Sequence, residues 1–155
     1  MHDYVEATHI LSTFNSLRLL LPSTVMKATI NRQYPLSELT GEIIGAAMEV
    51  HRQLGNGFPE LIYQRALAVE FKVRSVNFIR EKSIDIFYKG EKVGSRQPDF
   101  IVEDQVIVEL KAVATLENPH IVQALNYLEA YHLKIGLLIN FGGRSLEFRR
   151  LFNNR

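Results

Sequence analysis

The fold is decided by the stretch Val106-Ile107-Val108-Glu109-Leu110-Lys111-Ala112-Val113. It is rich in apolar and β-branched residues and lacks Gly and Pro, a pattern that predicts a buried β-strand. Because strand side chains alternate between two faces, Glu109 and Lys111 project from the same face. Burying a charge is costly unless it is paired or coordinates a metal, so this strand is the first candidate for a functional site.

The composition is that of one globular domain. The chain has 155 residues, of which 46% are hydrophobic and 23% charged, enough for one core and too few for two. The absence of Cys excludes disulfides and thiolate metal sites and favours a cytoplasmic location. No apolar run reaches the length of a membrane span, so no membrane association is expected. The net charge of +1 gives no overall basic field, although local basic clusters can still bind nucleic acid.

Residues 1–36 differ from the rest of the chain because they show no sustained hydrophobic period. This pattern predicts an N-terminal extension. The extension is either loosely attached to the domain or results from a translation start assigned upstream of the native one, with Met26 as the alternative start. Residues 37–155 are predicted to form the folded domain.

The remaining pattern predicts an α/β domain in which helices flank a mixed β-sheet in the order ααβββαββ. The second helix carries two neighbouring apolar rows at helical spacing. The first is Ile62, Ala66, Val69 and Val73, and beside it lie Tyr63, Leu67 and Phe71. The hydrophobic periods and turn residues place helices at about 38–54, 59–74 and 118–132, and strands at about 76–79, 83–88, 92–95, 97–102, 106–113, 135–140 and 145–152.

The pairing of two strands brings a second carboxylate to Glu109. If Phe100 pairs with Val108, the apolar residues of both strands share one face, and the same register sets Asp99 opposite Glu109 with Lys111 diagonal to them. Two carboxylates and a Lys fit a Mg²⁺ site for phosphodiester hydrolysis, because Mg²⁺ prefers oxygen ligands. The same three residues also fit a solvated cross-strand salt bridge, and the pattern alone leaves both readings open.

Four motifs follow one another along the chain: Gly57-x-x-Glu60-x-x-Tyr63, Arg96-Gln97-Pro98-Asp99, Glu109-Leu110-Lys111 and Gln123-x-x-x-Tyr127. In their order and spacing the chain resembles the GxxExxY protein family, a branch of the PD-(D/E)XK nuclease-like superfamily, over about residues 37–150. The resemblance implies a restriction-endonuclease-like core. Two features depart from the family pattern: Pro59, where an aliphatic residue is more usual, and the long N-terminus.

The resemblance also implies a metal site. Asp99 and Glu109 would bind Mg²⁺, or Mn²⁺ in its place, together with the backbone carbonyl of Leu110. Glu60, at the start of the second helix, would assist the metal or its water.

Three further residues would take part in catalysis according to the resemblance. Lys111 would serve the hydrolytic water. Gln123 and Tyr127, four residues apart on one helix face, would orient the site or contact the phosphate.

We therefore expect a Mg²⁺-dependent nuclease that acts on DNA, and the intact set of two acids and a Lys favours it. Two alternatives stay open: a non-cleaving or accessory nucleic-acid-binding module that retains the fold, and a structural or toxin-partner protein with a fossil site. Nucleic acid, DNA foremost, is the expected partner, and a homodimer is compatible with the sequence.

Overall fold

The computed structural model of the protein describes residues 36–153. The predicted N-terminal extension, apart from its last residue, and the alternative start at Met26 lie outside the described residues. Within them, no helix combines the length and the apolar character needed to cross a membrane.

Residues 36–153 contain three α-helices and seven β-strands. The helices are α1 (Ser37–Leu54), α2 (Glu60–Val73) and α3 (Asn118–Ala130). The strands are β1 (Phe78–Arg80), β2 (Ile84–Tyr88), β3 (Glu91–Arg96), β4 (Phe100–Val102), β5 (Val106–Lys111), β6 (Ile135–Asn140) and β7 (Glu147–Phe152).

Five of the strands form one mixed sheet in the order β1-β4-β5-β6-β7. The pairs β1–β4, β4–β5 and β6–β7 are antiparallel, whereas β5 and β6 run parallel. Strands β2 and β3 form a separate two-stranded hairpin, inserted between β1 and β4. Without that hairpin, which corresponds to the strands predicted at 83–88 and 92–95, the chain runs helix, helix, three strands, helix, two strands. This confirms the predicted ααβββαββ order.

The central strand β5 is covered on both of its faces. Val106, Val108 and Leu110 pack into a core with α1 and α2, whereas Ile107 packs into a second core under α3. This double burial explains why β5 and its parallel neighbour β6 are almost continuously apolar. Alternation then directs Glu109 to the same face as Ile107, the face covered by α3.

Of the two neighbouring apolar rows predicted on α2, the second faces the core. Ile62, Val69 and Val73 are exposed, and the buried residues are Tyr63, Gln64, Leu67, Ala68 and Phe71. Apolar residues occupy more than one side of this helix, so helical spacing alone does not select a face. The sheet selects it, because Phe71 packs against the rings of Phe78 and Phe100.

Candidate active site

The pairing of β4 with β5 positions the first carboxylate. Phe100 pairs with Val108, which confirms the predicted register. Asp99, the residue before β4, therefore lies beside the second half of β5. Its Oδ2 accepts a 2.7 Å hydrogen bond from the backbone N–H of Leu110, which ties the carboxylate to the strand that carries Glu109.

Glu109 and Lys111 form a buried ion pair on β5. Lys111 Nζ donates to Glu109 Oε1 at 2.8 Å, and the side chains of Lys111 and Glu109 are 11% and 5% exposed. A salt bridge therefore exists, but it lies within β5 rather than across two strands, and it is buried rather than on a solvated face. The other oxygen of Glu109, Oε2, is buried and has no hydrogen-bond partner among the described residues. An unsatisfied buried acceptor costs about 1–3 kcal/mol, so the pair is not optimised for stability alone.

The carboxylates at this site are difficult to ionise together. Burial and then the charge of Asp99 raise the pKa of Glu109 to about 7, although Lys111 opposes the shift. Burial also raises the pKa of Asp99, against the hydrogen bond from Leu110. Burial raises the pKa of Glu60 as well. The three acids together present more negative charge than Lys111 can neutralise.

Lys111 is held in its charged form. Burial lowers the pKa of Lys111, but the hydrogen bond and charge of Glu109, with the charges of Glu60 and Asp99, outweigh burial and raise it. The side chain can therefore donate hydrogen bonds and stabilise negative charge, which suits a phosphate better than it suits proton abstraction.

Glu60 is placed by a turn that Tyr63 fixes. Glu60 is the first residue of α2. One turn later, the buried Tyr63 donates through its hydroxyl to the carbonyl of Gly55 at 2.8 Å and accepts from the N–H of Phe58 at 3.2 Å. Its ring stacks on Phe141 with centroids 4.6 Å apart. The tyrosine of the first motif thus holds the α1–α2 turn in position, and with it the start of α2.

Gln123 and Tyr127 approach the site from α3. Gln123 Nε2 donates to the Tyr127 hydroxyl at 3.1 Å, as expected for residues one helical turn apart. Burial, followed by the charge of Glu109, raises the pKa of Tyr127. The structure therefore brings this pair to the face of the sheet that carries Glu109, and their catalytic roles stay predictions.

Two further residues reach the site that the sequence analysis did not select. Gln64 Nε2 donates to Asp99 Oδ1 at 2.7 Å, and Arg80 Nη2 donates to Gln64 Oε1 at 2.7 Å. A signal for Gln64 exists in the sequence, since it lies four residues after Glu60 and hence on the same face of α2. As a polar residue next to Tyr63, it was not selected by the apolar pattern of α2.

Asn140 holds the chain that leaves β5. Its buried side chain accepts from the N–H groups of Val113 and Gly142, each at 3.0 Å, and donates to the carbonyl of Val113 at 2.8 Å. A Cβ added at Gly142 would lie 2.2 Å from the Val113 oxygen. This close contact leaves no room for any residue but Gly and fixes the segment that follows Lys111.

The donor set fits a cation without forming a complete cage. Within residues 36–153, no three His, Asp or Glu side chains are grouped closely enough to hold a metal, so Glu60 does not complete a cluster with Asp99 and Glu109. The unpartnered Oε2 of Glu109 and the excess negative charge nevertheless suit a hard divalent cation. Mg²⁺ commonly takes one or two carboxylates and keeps several waters, a requirement that a pair of acids meets in kind.

The comparisons agree with this architecture. A family model described as the PD-(D/E)XK nuclease superfamily matches residues 37–151. The crystal structure of SSO0001 is similar to this chain, with a TM-score of 0.51 and 16% sequence identity, over 61% of this chain and 50% of that one. At this identity the likeness shows the fold alone, and the chain spans half the length of that protein. No curated protein matches the sequence.

Proposed function

Because the chain belongs to the PD-(D/E)XK nuclease superfamily, we propose that it is a divalent-metal-dependent nuclease that hydrolyses phosphodiester bonds in DNA. Members of the superfamily are generally nucleases, which supports hydrolysis as the reaction class. The metal requirement and the DNA substrate are the specific parts of the proposal.

One observation carries it: the buried pair of Glu109 and Lys111 beside Asp99, with one oxygen of Glu109 unpartnered. A pair that served stability alone would satisfy both oxygens of the carboxylate. Here two acids and a charged Lys lie at one end of the paired strands β4 and β5. A cation and a phosphate would complement that arrangement of charge.

The proposed ligands are the carboxylates of Asp99 and Glu109 and the backbone carbonyl of Leu110, with Glu60 close by. The proposed ion is Mg²⁺, for which Mn²⁺ can substitute. When bound, such an ion neutralises phosphate charge and makes a coordinated water more acidic. Asp99 is prepared for this role because hydrogen bonds already hold both of its oxygens.

Lys111, Gln123 and Tyr127 would act on the substrate. The Lys111 ammonium would stabilise the charge that develops on the phosphate, at a site where burial strengthens electrostatic interactions. Gln123 and Tyr127 already share a hydrogen bond and would orient the phosphate or the attacking water from the α3 side.

An alternative function is a nucleic-acid-binding module that does not cleave. It is favoured by one feature: Asp99 and Lys111 are already engaged by protein partners without any ligand. Such contacts could stabilise the fold even if the site does not cleave. Binding of nucleic acid without cleavage would identify this alternative.

Purified protein should be assayed on single-stranded and duplex DNA and on RNA, with Mg²⁺, with Mn²⁺ and with a chelator. Cleavage that needs the ion and is lost in Asp99→Ala supports the proposal. Asp85→Ala is the control, because it makes the same substitution at an exposed position of the hairpin, where Asp85 pairs with Lys92 at 2.8 Å. Equal trace cleavage by wild type and Asp99→Ala would mark a contaminant and defeat the proposal, whereas DNA binding without cleavage would favour the alternative.

A further inference from the structure

We propose that Gln64 is a positioning residue for Asp99 and that Arg80 sets the orientation of its amide, an inference that rests on the proposed function of the site. Gln64 does not belong to the four motifs that mark the site in the sequence. Its contribution would be to hold one carboxylate in the geometry that a divalent cation requires.

The chemistry of the three groups allows one orientation of the amide. Arg80 can only donate, so the oxygen of the Gln64 amide must face its guanidinium; the observed separation is 2.7 Å. An ionised Asp99 can only accept, so the amide nitrogen must face its Oδ1, also at 2.7 Å. A flipped amide would place donor against donor and acceptor against acceptor. Arg80 therefore determines which end of Gln64 reaches Asp99.

Three elements meet in this chain of hydrogen bonds. Gln64 is a buried residue of α2, and Arg80 ends β1, where it pairs with Phe100 of β4. The backbone carbonyl of Asp99 also accepts from the N–H of Glu81 at 3.1 Å. Three groups therefore hold Asp99: the N–H of Glu81, the N–H of Leu110 in β5 and the amide of Gln64. Of these three contacts, the one from Gln64 is made by a side chain.

Arg80 is not explained by stability alone. Its Nε is buried and has no hydrogen-bond partner among the described residues. A buried donor without a partner costs stability, so an apolar residue would suit this position better if packing were its purpose. The hydrogen bond to Gln64 explains why an Arg, rather than an apolar residue, occupies this position.

Loss of this support should weaken the site for a cation. Residues that hydrogen-bond a metal ligand typically contribute about 10- to 100-fold to metal affinity or activity. Gln64→Met keeps the length of the side chain and removes both hydrogen bonds. We expect it to weaken Mn²⁺ binding by about 10- to 100-fold. Arg80→Met should cause a smaller loss, because Asp99 itself still favours the correct amide orientation, and Arg80→Lys should restore the affinity.

The test is Mn²⁺ titration by calorimetry, on full-length protein and below the melting temperature of every variant. The matched control is Gln53→Met, because Gln53 donates to Glu49 at the same 2.7 Å distance on the exposed side of α1. A purely structural role would lower the melting temperature and leave the Mn²⁺ affinity of folded protein unchanged.

The outcomes separate this inference from the proposed function. Weaker binding in Gln64→Met but not in Gln53→Met supports it. Equal affinities for wild type and Gln64→Met overturn it and leave the proposed function intact, whereas a wild type that binds no Mn²⁺ overturns both. If Gln64→Met does not fold, the two Arg80 variants decide. Weaker Mn²⁺ binding in Arg80→Met together with wild-type binding in Arg80→Lys supports the inference. Equal Mn²⁺ affinities for wild type and Arg80→Met overturn it.

Discussion

Two acid–lysine pairs with the same separation lie in two different sheets of this protein. Glu109 and Lys111 are 2.8 Å apart in β5, and Asp85 and Lys92 are 2.8 Å apart in the β2–β3 hairpin. The side chains of the hairpin pair are 43% and 56% exposed, whereas those of the β5 pair are almost completely buried. Distance alone therefore does not distinguish a surface ion pair from a candidate active site.

The difference arises from the position of each strand. β5 is the middle strand of the five-stranded sheet, with a helical layer on either face. The hairpin pairs with no other strand of residues 36–153. Water screens the hairpin pair, and this limits what the pair contributes to the free energy of unfolding to about 0–1 kcal/mol. At β5 the screening is lost, and the same charges perturb one another strongly.

The largest expected difference between the two pairs is in activity. Lys111→Met should lower DNA cleavage about 1,000-fold, equivalent to about 4 kcal/mol of transition-state stabilisation, because it removes the charge beside the phosphate. Lys92→Met should leave cleavage unchanged, since its charge belongs to the hairpin. Single-turnover cleavage with Mg²⁺ measures both. Similar losses in both variants would show that burial does not separate the pairs in function.

The second difference concerns stability against pH. The pKa of Glu109 is raised from its ordinary 4.5 to about 7, by burial first and then by Asp99. The folded state therefore holds this proton more tightly. Binding of this proton therefore stabilises the folded state fully below pH 4.5, and this stabilisation is lost as the pH rises through 7. The free energy of unfolding falls by about 3 kcal/mol over this range.

Urea denaturation in chelator across this pH range checks the sign. Glu109→Gln should show a flatter dependence of the free energy of unfolding on pH, because it carries no titrating carboxyl at this position. Parallel curves for the two proteins would contradict the assignment of the shift to Glu109.

A third prediction concerns the support behind the buried pair. Asn140→Ala should lower the free energy of unfolding by about 2–3 kcal/mol, because it leaves the N–H groups of Val113 and Gly142 without their acceptor. Asn77→Ala is the control: the Asn77 side chain also donates a hydrogen bond, to Glu103, but at an exposed position before β1, where a change within about 0.5 kcal/mol is expected. Thermal unfolding of both variants measures this difference. Equal shifts of the melting temperature in the two variants would contradict the prediction.

The smallest effect is expected at the hairpin itself. Lys92→Met should lower the free energy of unfolding by less than about 1 kcal/mol, and high salt should reduce the difference further, because the pair is exposed and screened. Chemical denaturation at low and high ionic strength tests this. A larger loss that salt does not reduce would mean that the hairpin pair resembles the β5 pair after all.

Much of the fold could be predicted because its determinants are local. Alternation along β5 places Glu109 and Lys111 on one face, and the apolar pattern sets the register that the structure shows for Phe100 and Val108. The strand predicted at 135–140 is β6 as observed. Tyr63 was found by its motif, but its contact with the α1–α2 turn was not, since that contact depends on how two helices meet.

The sequence by itself determined which charges share the face of β5, because a strand's side-chain period depends on nothing beyond the strand. Only the tertiary structure decided which side of α2 turns inward, because apolar residues on more than one side of that helix satisfy helical spacing and the aromatic rings of the sheet select among them. That choice buries Gln64 and brings it, with Arg80, to Asp99. It also decides that the pair on β5 is shielded from water, and burial rather than residue identity raises the pKa of Glu109.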